Sequence, residues 1–246
     1  THSETSTGVI NDLETISKYI RNHEQALSII DCVTSIGACN VPTDEWGLDI
    51  VASGSQKGYM IPPGLSFISV SEKAWKAYEK SNLPKFYLDL KYYKKSLDNN
   101  SNPYTPAVNL VFALEESLKM MQEEGLSSIF QRHEKHKLAV SNAVKALNLK
   151  LFANSESLSP SITAIESTQM DAEAFRKIIK DKYDILLAGG QDNLKGKIFR
   201  VGHLGYINNR DIMTAISAIG LTLLGQDLIT TENLGKSLKI AENYLK

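Results

Sequence analysis

The stretch that decides the fold is VASGSQKGYMIPPGLSFISV, residues 51–70. An apolar run typical of a buried strand ends in Ser-Gly-Ser-Gln-Lys-Gly, and a Pro-Pro-Gly turn then leads into a second apolar run. Lys57 therefore stands among glycines at the end of a predicted strand. Two interpretations stay open. It is either a surface lysine in a turn or a partly desolvated amine that can act as a nucleophile.

The composition is that of an ordinary globular protein, with 42% hydrophobic and 22% charged residues among 246. The formal net charge of -1 argues against a nucleic-acid partner. No apolar run approaches the roughly 20 residues that span a bilayer, and the first residues do not resemble a signal peptide. Cys32 and Cys39 provide neither a disulfide framework nor zinc spacing. We therefore expect no membrane, nucleic-acid or metal partner. We also expect both thiols to be reduced and the protein to be cytoplasmic.

Strands and helices alternate along the chain, which predicts an α/β fold. Hydrophobic spacing predicts a helix over 12–24 and a short buried strand ending at Asp31. The next predicted elements are the strands LDIVAS and LSFISVS, a helix 72–80 capped by Ser71, an irregular segment 81–104, and a helix from Thr105-Pro106 to Glu124.

The second half of the chain repeats strands and helices after a break at Gly125. A long helix is predicted to reach about residue 147, and the strands LKLFA, SITAIES, DILLAG and KIFRVG then accompany helices 171–182 and 209–224. The last twenty or so residues are typical of an amphipathic helix. We therefore predict two domains, 1–125 and 126–246.

Two further residues suggest chemistry because of where they stand. Asp31 ends the apolar run LSII, where a carboxylate is costly unless it is paired, and a buried aspartate can keep a pyridinium nitrogen protonated. Arg200 lies inside the predicted strand KIFRVG, and its planar guanidinium can bind a carboxylate through two hydrogen bonds. The simpler alternatives are a turn or cap residue for Asp31 and an ordinary ion pair for Arg200.

Three segments together resemble a known family. SIIDCVTSIGACNVPTDEWGLDIVASGSQKGYMIPPG resembles the cofactor region of the class V, fold-type I pyridoxal-phosphate aminotransferases, in particular the alanine–glyoxylate and serine–glyoxylate enzymes. THSETSTG and GKIFRVGHLGYINNRDI are similar to two other segments of that group. The resemblance extends to about residue 224. It implies the remaining part of a large, mostly parallel-sheet domain followed by a smaller C-terminal α/β domain.

The resemblance also implies roles for individual residues. Lys57 would form the Schiff base with pyridoxal 5'-phosphate and later move the substrate proton, Asp31 would pair with the pyridine nitrogen, and Arg200 would hold the substrate carboxylate. The other implied contacts to the cofactor come from Gln56 at the phosphate, Thr5 near the ring hydroxyl, Val33 on one ring face, and Thr105 at the phosphate of a neighbouring subunit in a homodimer. For Thr105, a helix N-cap before Pro106 is an equally good explanation.

The implied reaction is transamination between a small amino acid, alanine or serine, and a 2-oxo acid such as glyoxylate or pyruvate. The alternatives are a related fold-type I lyase or desulfurase and a truncated, non-catalytic fragment that only dimerises. The family's Gly/Ser-rich phosphate-binding turn and its ring-stacking aromatic residue have no counterpart upstream of THSETSTG. Because a helix N-terminus contributes strongly to phosphate binding, we expect the chain alone to hold the cofactor weakly.

Three other residues have a spacing or position that suggests a function, but a structural role explains them better. His133 and His136 stand three apart in QRHEKHK, a spacing compatible with a metal site, but the surrounding charges favour a solvated helix face. Cys32 follows Asp31 and is predicted to be a core thiol.

Overall fold

The computed structural model describes every residue from Thr1 to Lys246. The helices are α1 (Leu13–Arg21), α2 (Glu72–Glu79), α3 (Leu90–Asp98), α4 (Val108–Glu124), α5 (Leu126–Ala146), α6 (Ala172–Tyr183), α7 (Asn209–Leu224) and α8 (Thr231–Leu245). The strands are β1 (Ser3–Glu4), β2 (Val9–Ile10), β3 (Ile29–Asp31), β4 (Ile50–Gly54), β5 (Ser66–Val70), β6 (Lys150–Leu151), β7 (Ile162–Glu166), β8 (Ala188–Gly189) and β9 (Ile198–Gly202). No helix combines the length and the apolar character that crossing a membrane requires.

The first half of the chain contains a three-stranded sheet in the order β3-β4-β5. β3 runs parallel to β4, with Asp31 opposite Ala52, and β5 returns antiparallel to β4. The predicted strands on both sides of Lys57 are therefore confirmed, and they are neighbours in one sheet. The turn between them closes on Ser55, whose backbone N–H donates to the Leu65 carbonyl at 3.0 Å.

The second half is built around a four-stranded antiparallel sheet in the order β6-β7-β9-β8. Its core is a cluster of 22 buried residues, all of them between Ala139 and Ala241. A separate cluster of 5 buried residues, between Leu13 and Val51, forms the core of the first half. Gly125, with φ +80°, separates α4 from α5. Two separate cores support the division at Gly125, which we retain as a proposal.

The two halves are joined by polar contacts near the N-terminus. The Ser3 and Ser159 hydroxyls are 2.8 Å apart, and the Ser159 backbone N–H donates to the Gly8 carbonyl at 2.9 Å. The Ser161 hydroxyl donates to the Thr34 carbonyl. These contacts pair loops of the first half with the segment that leads into β7.

Local sequence signals predict several helices correctly. Ser71 caps α2 by accepting a hydrogen bond from the Ala74 N–H at 3.1 Å, and α6 and α7 lie within one residue of their predicted limits. The prediction that residues 81–104 are irregular is wrong, because this segment contains α3. Asp89, a buried residue, starts that helix by accepting from the Lys91 N–H at 3.2 Å.

The prediction that Thr105 is a helix N-cap is also wrong. The first helical acceptor of α4 is the Ala107 carbonyl, which accepts from the Val111 N–H at 3.1 Å. The helix therefore begins two residues after Pro106, and Thr105 is left exposed without a capping hydrogen bond.

Candidate active site

Lys57 lies in the turn that follows β4, and its neighbour Gly58 explains why glycine stands there. A Cβ on Gly58 would come within 2.1 Å of the Ile36 carbonyl oxygen and 2.9 Å of the Gly37 Cα. Gly37 itself has φ +83°, a conformation that residues with a side chain rarely adopt. The turns after β3 and β4 are thus in direct backbone contact, and only glycine permits this contact.

A third turn supports the other side of Lys57. The Lys57 carbonyl accepts a hydrogen bond from the Met60 N–H at 2.9 Å. Gly205, in the turn that follows β9, has φ +84°, and a Cβ there would lie 3.6 Å from the same carbonyl. The Lys57 carbonyl therefore closes its own turn and lies next to the turn that follows β9.

A cavity of about 280 Å³ opens beside Lys57, between the two halves of the chain. Its lining residues are Thr5, Thr34, Gln56, Lys57, Ser161, Ile162, Gly202 and Leu204. The cavity brings together three of the residues predicted from sequence, Thr5, Gln56 and Lys57. A larger groove of about 530 Å³ between α5 and α8 contains none of the predicted site residues.

Five lining residues were not among the predicted site residues: Thr34, Ser161, Ile162, Gly202 and Leu204. Ile162 and Gly202 are directly paired across β7 and β9. The Thr34 hydroxyl donates to the Ser3 carbonyl at 2.8 Å, which leaves Thr34 in the wall of the cavity. Thr34, Gly202 and Leu204 lie within segments that resemble the family, whereas Ser161 and Ile162 reach the cavity only through contacts between distant parts of the chain.

Arg200 lies in β9 and is 7% exposed. Its Nε donates to the Gly189 carbonyl at 2.8 Å, and its Nη1 donates to the Thr5 carbonyl at 2.6 Å. No ion pair within the chain includes Arg200, so the ordinary ion-pair interpretation is wrong. Burial, and secondarily the positive charge of Arg176, lower the Arg200 pKa. A buried guanidinium held only by carbonyls is well suited to bind an anion from outside the chain.

Asp31 occupies a different environment from the one predicted. Its side chain is exposed because this face of the sheet is uncovered: Ile29 on the same face is 69% exposed, and Ile68, in register on β5, is 49% exposed. The prediction of a buried aspartate is therefore wrong for the described chain. Asp31 Oδ1 accepts from the Val33 N–H at 2.9 Å, which fixes the orientation of the carboxylate.

The cavity lining includes neither Asp31 nor the half-buried Val33, and it does not include Thr105. Cys32, next to Asp31, is fully buried, as predicted for a core thiol. No group of three or more His, Cys, Asp or Glu side chains could hold a metal ion.

His203 connects the two strands that line the cavity. It is fully buried, and its Nδ1 lies 2.9 Å from the Pro160 carbonyl while its Nε2 lies 2.9 Å from the Thr163 hydroxyl. Because a carbonyl only accepts hydrogen bonds, Nδ1 carries the proton and Nε2 accepts from Thr163. Burial lowers the pKa of His203 to about 3, so the ring is neutral.

His133 and His136 are both fully buried in α5, so the prediction of a solvated helix face is wrong. The cause is that α7, α8 and the turn after β9 cover this side of α5. His133 Nδ1 donates to the Ile129 carbonyl at 2.7 Å, and its Nε2 accepts from the Gly205 N–H at 3.1 Å. Burial lowers the pKa of His133 to about 4. His136 Nε2 donates to Asn209 Oδ1 at 3.1 Å.

Comparisons with known proteins agree on one family. The family model described as aminotransferase class-V matches residues 1–216. The "Soluble hydrogenase, small subunit" of Synechococcus sp. (strain PCC 6716) is 59% identical over 91% of this chain and 58% of its own length. The serine–glyoxylate aminotransferase of Methylorubrum extorquens is 36% identical over 100% of this chain and 62% of its own length.

The fold is matched as clearly as the sequence. The crystal structure of ureidoglycine–glyoxylate aminotransferase from Bacillus subtilis superposes with a TM-score of 0.88 at 31% identity, over 98% of this chain and 64% of that one. The chain thus spans about three-fifths of the length of these relatives, 58% to 64%. Its fold is that of the fold-type I aminotransferases. From the family match over residues 1–216 and these similarities, the chain belongs to the class-V aminotransferase family.

Proposed function

We propose that the protein is a pyridoxal-phosphate-dependent aminotransferase that moves an amino group between a small amino acid and a 2-oxo acid. The observation that carries the proposal is the position of Lys57, in one cavity with Thr5 and Gln56. No ion pair within the chain involves Lys57, so no carboxylate of the chain neutralises its amine. A primary amine facing a small polar cavity is a suitable nucleophile for a carbonyl compound.

The residues of the cavity fit the cofactor. A carbonyl-bearing group needs an amine, which Lys57 provides, and its phosphate and hydroxyl oxygens need hydrogen-bond donors. The Thr5 hydroxyl and the Gln56 amide are such donors, whereas the Thr34 and Ser161 hydroxyls already donate to the Ser3 and Thr34 carbonyls and can only accept. When bound, pyridoxal phosphate supplies an aldehyde that condenses with amines and a ring that withdraws electrons from the substrate's α-carbon.

Each proposed role follows from what the side chain can do. Lys57 Nζ would hold the cofactor at its aldehyde carbon and, once the substrate amine has displaced it, would take the proton from the substrate's α-carbon and return it to that former aldehyde carbon, across the intervening nitrogen. Asp31, oriented by the Val33 N–H, pairs with the ring nitrogen through its remaining oxygen. Gln56 and Thr5 hydrogen-bond the phosphate and the ring hydroxyl, and Val33 packs on a ring face.

Arg200 orients the substrate. Its Nε and Nη1 are fixed by the Gly189 and Thr5 carbonyls, and no hydrogen bond within the chain uses Nη2. A substrate carboxylate can therefore bind this side of the guanidinium without displacing a protein carboxylate. Because Thr5 also lines the cavity, the Arg200–Thr5 hydrogen bond ties the carboxylate site to the cofactor site.

The acceptor is proposed from the relatives. Those named for L-aspartate, serine and (S)-ureidoglycine all carry glyoxylate in their names, while the amino donor differs. We therefore propose glyoxylate as the first acceptor to assay, then pyruvate, with alanine and serine as the first donors.

We further propose a homodimer with shared active sites, located in the cytoplasm. Between Leu83 and Phe112 the chain exposes several large apolar side chains, among them Phe86 at 71%, Leu88 at 79% and Phe112 at 67%. Exposed apolar residues concentrated in one stretch are typical of an interaction surface. Thr105 lies in this stretch, which supports its proposed contact with the cofactor phosphate of the partner.

The test is covalent trapping at Lys57. The protein, expressed from its complete reading frame, is mixed with pyridoxal phosphate, reduced with borohydride and digested, and the modified lysine is identified by mass spectrometry. We expect a single adduct at Lys57 and glycine formation from glyoxylate with alanine or serine. Lys57→Ala should lose both, while Lys76→Ala, a substitution of an exposed residue of α2 outside the cavity lining, should retain both. Turnover near wild type in Lys57→Ala would show that the assignment is wrong.

The alternatives give different results in the same preparation. A lyase or desulfurase would show the Lys57 adduct but release sulfide or another product without forming glycine. If the 246-residue chain is a non-catalytic fragment, it would form no adduct, whereas the complete protein would be active. If this protein reduced a dye with hydrogen, that result would instead support the activity for which one relative is named, a hydrogenase.

A further inference from the structure

Two consecutive residues of α5 hold both backbone groups of Gly205. Arg132 Nη1 donates to the Gly205 carbonyl at 2.9 Å and to the Ile207 carbonyl at 3.1 Å. His133 Nε2 accepts from the Gly205 N–H at 3.1 Å. Since the N–H and the carbonyl of Gly205 point in different directions, the two contacts together restrain the orientation of the turn, which neither would do alone.

Arg132 is itself anchored to a different helix. Its Nε and Nη2 donate to the two carboxylate oxygens of Glu124, at 2.6 Å and 2.9 Å. Glu124 is the last residue of α4, and the hydrogen bond from Arg132 lowers its pKa. A two-point pair of this kind fixes the plane of the guanidinium. The remaining Nη1 is therefore aimed at the turn after β9.

The turn that these residues hold is in contact with the candidate active site. A Cβ on Gly205 would lie 3.4 Å from Met60 Cγ and 3.6 Å from the Lys57 carbonyl oxygen. The preceding residue, Leu204, lines the cavity. His203 is fixed in turn by Pro160 and Thr163, so the turn is restrained on both sides of Leu204.

We propose that Arg132 and His133 are positioning residues, which hold the Gly205 turn against the Lys57 backbone and thereby set where the Lys57 amine stands in the cavity. The proposal rests on the function proposed above for Lys57. His133 acts as an acceptor through Nε2, and Arg132 acts through its bridge from Glu124 to the two carbonyls. Neither residue lines the cavity, so any effect on the reaction must pass through the turn.

The experiment compares His133→Gln with His133→Leu. Glutamine offers an oxygen acceptor to the Gly205 N–H, whereas leucine fills the space without one. We expect faster amide hydrogen exchange at Gly205 and in residues 57–61 of the cofactor-free leucine variant. We also expect a kcat lower by about 10- to 100-fold, because small displacements of a reacting group have costs of that size, with little change in KM. The glutamine variant should stay near wild type in both measurements.

Two outcomes would overturn the proposal. One is a leucine variant with wild-type exchange at Gly205 and wild-type kcat. The other is an equal loss in both variants, which would indicate packing and not the hydrogen bond. If His133→Leu does not fold, Arg132→Lys serves instead, because lysine keeps the charge near Glu124 but cannot bridge to both carbonyls. It should show the same exchange and kcat effects, and wild-type behaviour would equally contradict the proposal.

The test also separates this inference from the proposed function. If the wild-type protein forms no Lys57 adduct, the proposed function is wrong. The exchange measurement on cofactor-free protein still shows whether His133 and Arg132 hold the turn. If the adduct forms normally and the leucine variant behaves as wild type, only the positioning role is wrong.

Discussion

The Ile36 carbonyl oxygen occupies the space where a side chain at Gly58 would begin, since a Cβ at Gly58 would lie 2.1 Å away from it. The contact joins the turn after β3, which begins beyond Asp31, to the turn that carries Lys57. The glycine beside Lys57 is therefore required by the approach of two backbone segments. This contact places the turn that follows Asp31 directly against the turn that carries Lys57.

Replacing Gly58 by alanine should disturb both stability and the site. The added methyl group cannot be accommodated without a backbone shift, and overpacking of this kind costs about 1–3 kcal/mol of unfolding free energy. The measurement is denaturant unfolding, together with the yield of borohydride adduct at Lys57, which should fall.

Gly235→Ala is the matched control for that substitution. Gly235 lies within α8, and a Cβ at this position would have no heavy atom within 4 Å beyond its own helical neighbours. Alanine should therefore stabilise the helix by about 0.5–1 kcal/mol. If the two substitutions had the same effect on unfolding, steric contact at Gly58 would not be the cause.

Replacing Arg200 by lysine should weaken substrate binding without removing the positive charge. Lysine cannot donate to the Gly189 and Thr5 carbonyls and to a substrate carboxylate with the same geometry. A lost hydrogen bond to a charged group costs about 1.5–3 kcal/mol, which corresponds to a reduction in kcat/KM of about 10- to 150-fold for the amino acid. Steady-state kinetics with alanine or serine measure this value.

Arg176→Lys provides the control for Arg200. Arg176 is close enough to lower the Arg200 pKa, but its own guanidinium is paired with Glu173 at 2.6 Å. We expect kcat/KM for this variant to stay within about threefold of wild type, since it keeps the charge and touches no substrate. Equal losses in the two variants would place the carboxylate site elsewhere.

Acid should destabilise the protein through its buried histidines. Burial lowers the pKa of His203 to about 3 and that of His133 to about 4, both below the ordinary value of 6.5. Below pH 6.5 the unfolded chain therefore binds more protons than the folded chain, so the unfolding free energy falls as the pH falls towards 4 and then 3. Each histidine contributes a slope of about 1.4 kcal/mol per pH unit inside its window and none above it.

The check is urea unfolding of wild type and His203→Asn between about pH 7.5 and about pH 4.5, a range that crosses the ordinary histidine pKa. Asparagine keeps an N–H donor for the Pro160 carbonyl but does not titrate. The variant should therefore lose about 1.4 kcal/mol less per pH unit than wild type over the lower part of this range. Parallel slopes would show that His203 does not carry a lowered pKa in the folded protein.

Local patterns were sufficient for most of the secondary structure. The run LDIVAS, the Pro-Pro-Gly turn and the run LSFISVS predict β4, the Lys57 turn and β5, because strands and turns depend on neighbouring residues. Ser71 predicts the start of α2 for the same reason. The motif order likewise predicted the family, and the class-V aminotransferase model matches residues 1–216.

Tertiary structure decided what the side chains touch. The charged residues around His133 and His136 favoured a solvated face, but packing of other elements against α5 buries both rings. Asp31 looked buried in a run of apolar residues, yet the face of the sheet that carries it is uncovered, so the carboxylate is exposed together with Ile29 and Ile68. No local sequence pattern predicts which distant segment will pack against a helix or a strand.

The sequence by itself thus determined most of the elements, the family and the choice of Lys57 as the candidate nucleophile, because these depend on residues close together in the chain. The tertiary structure alone decided that Thr5 meets Arg200 and that Gly205 meets Lys57. These contacts join residues separated by more than a hundred positions, and they form only when the antiparallel sheet of the second half packs against the turns of the first. The cavity exists because of that packing.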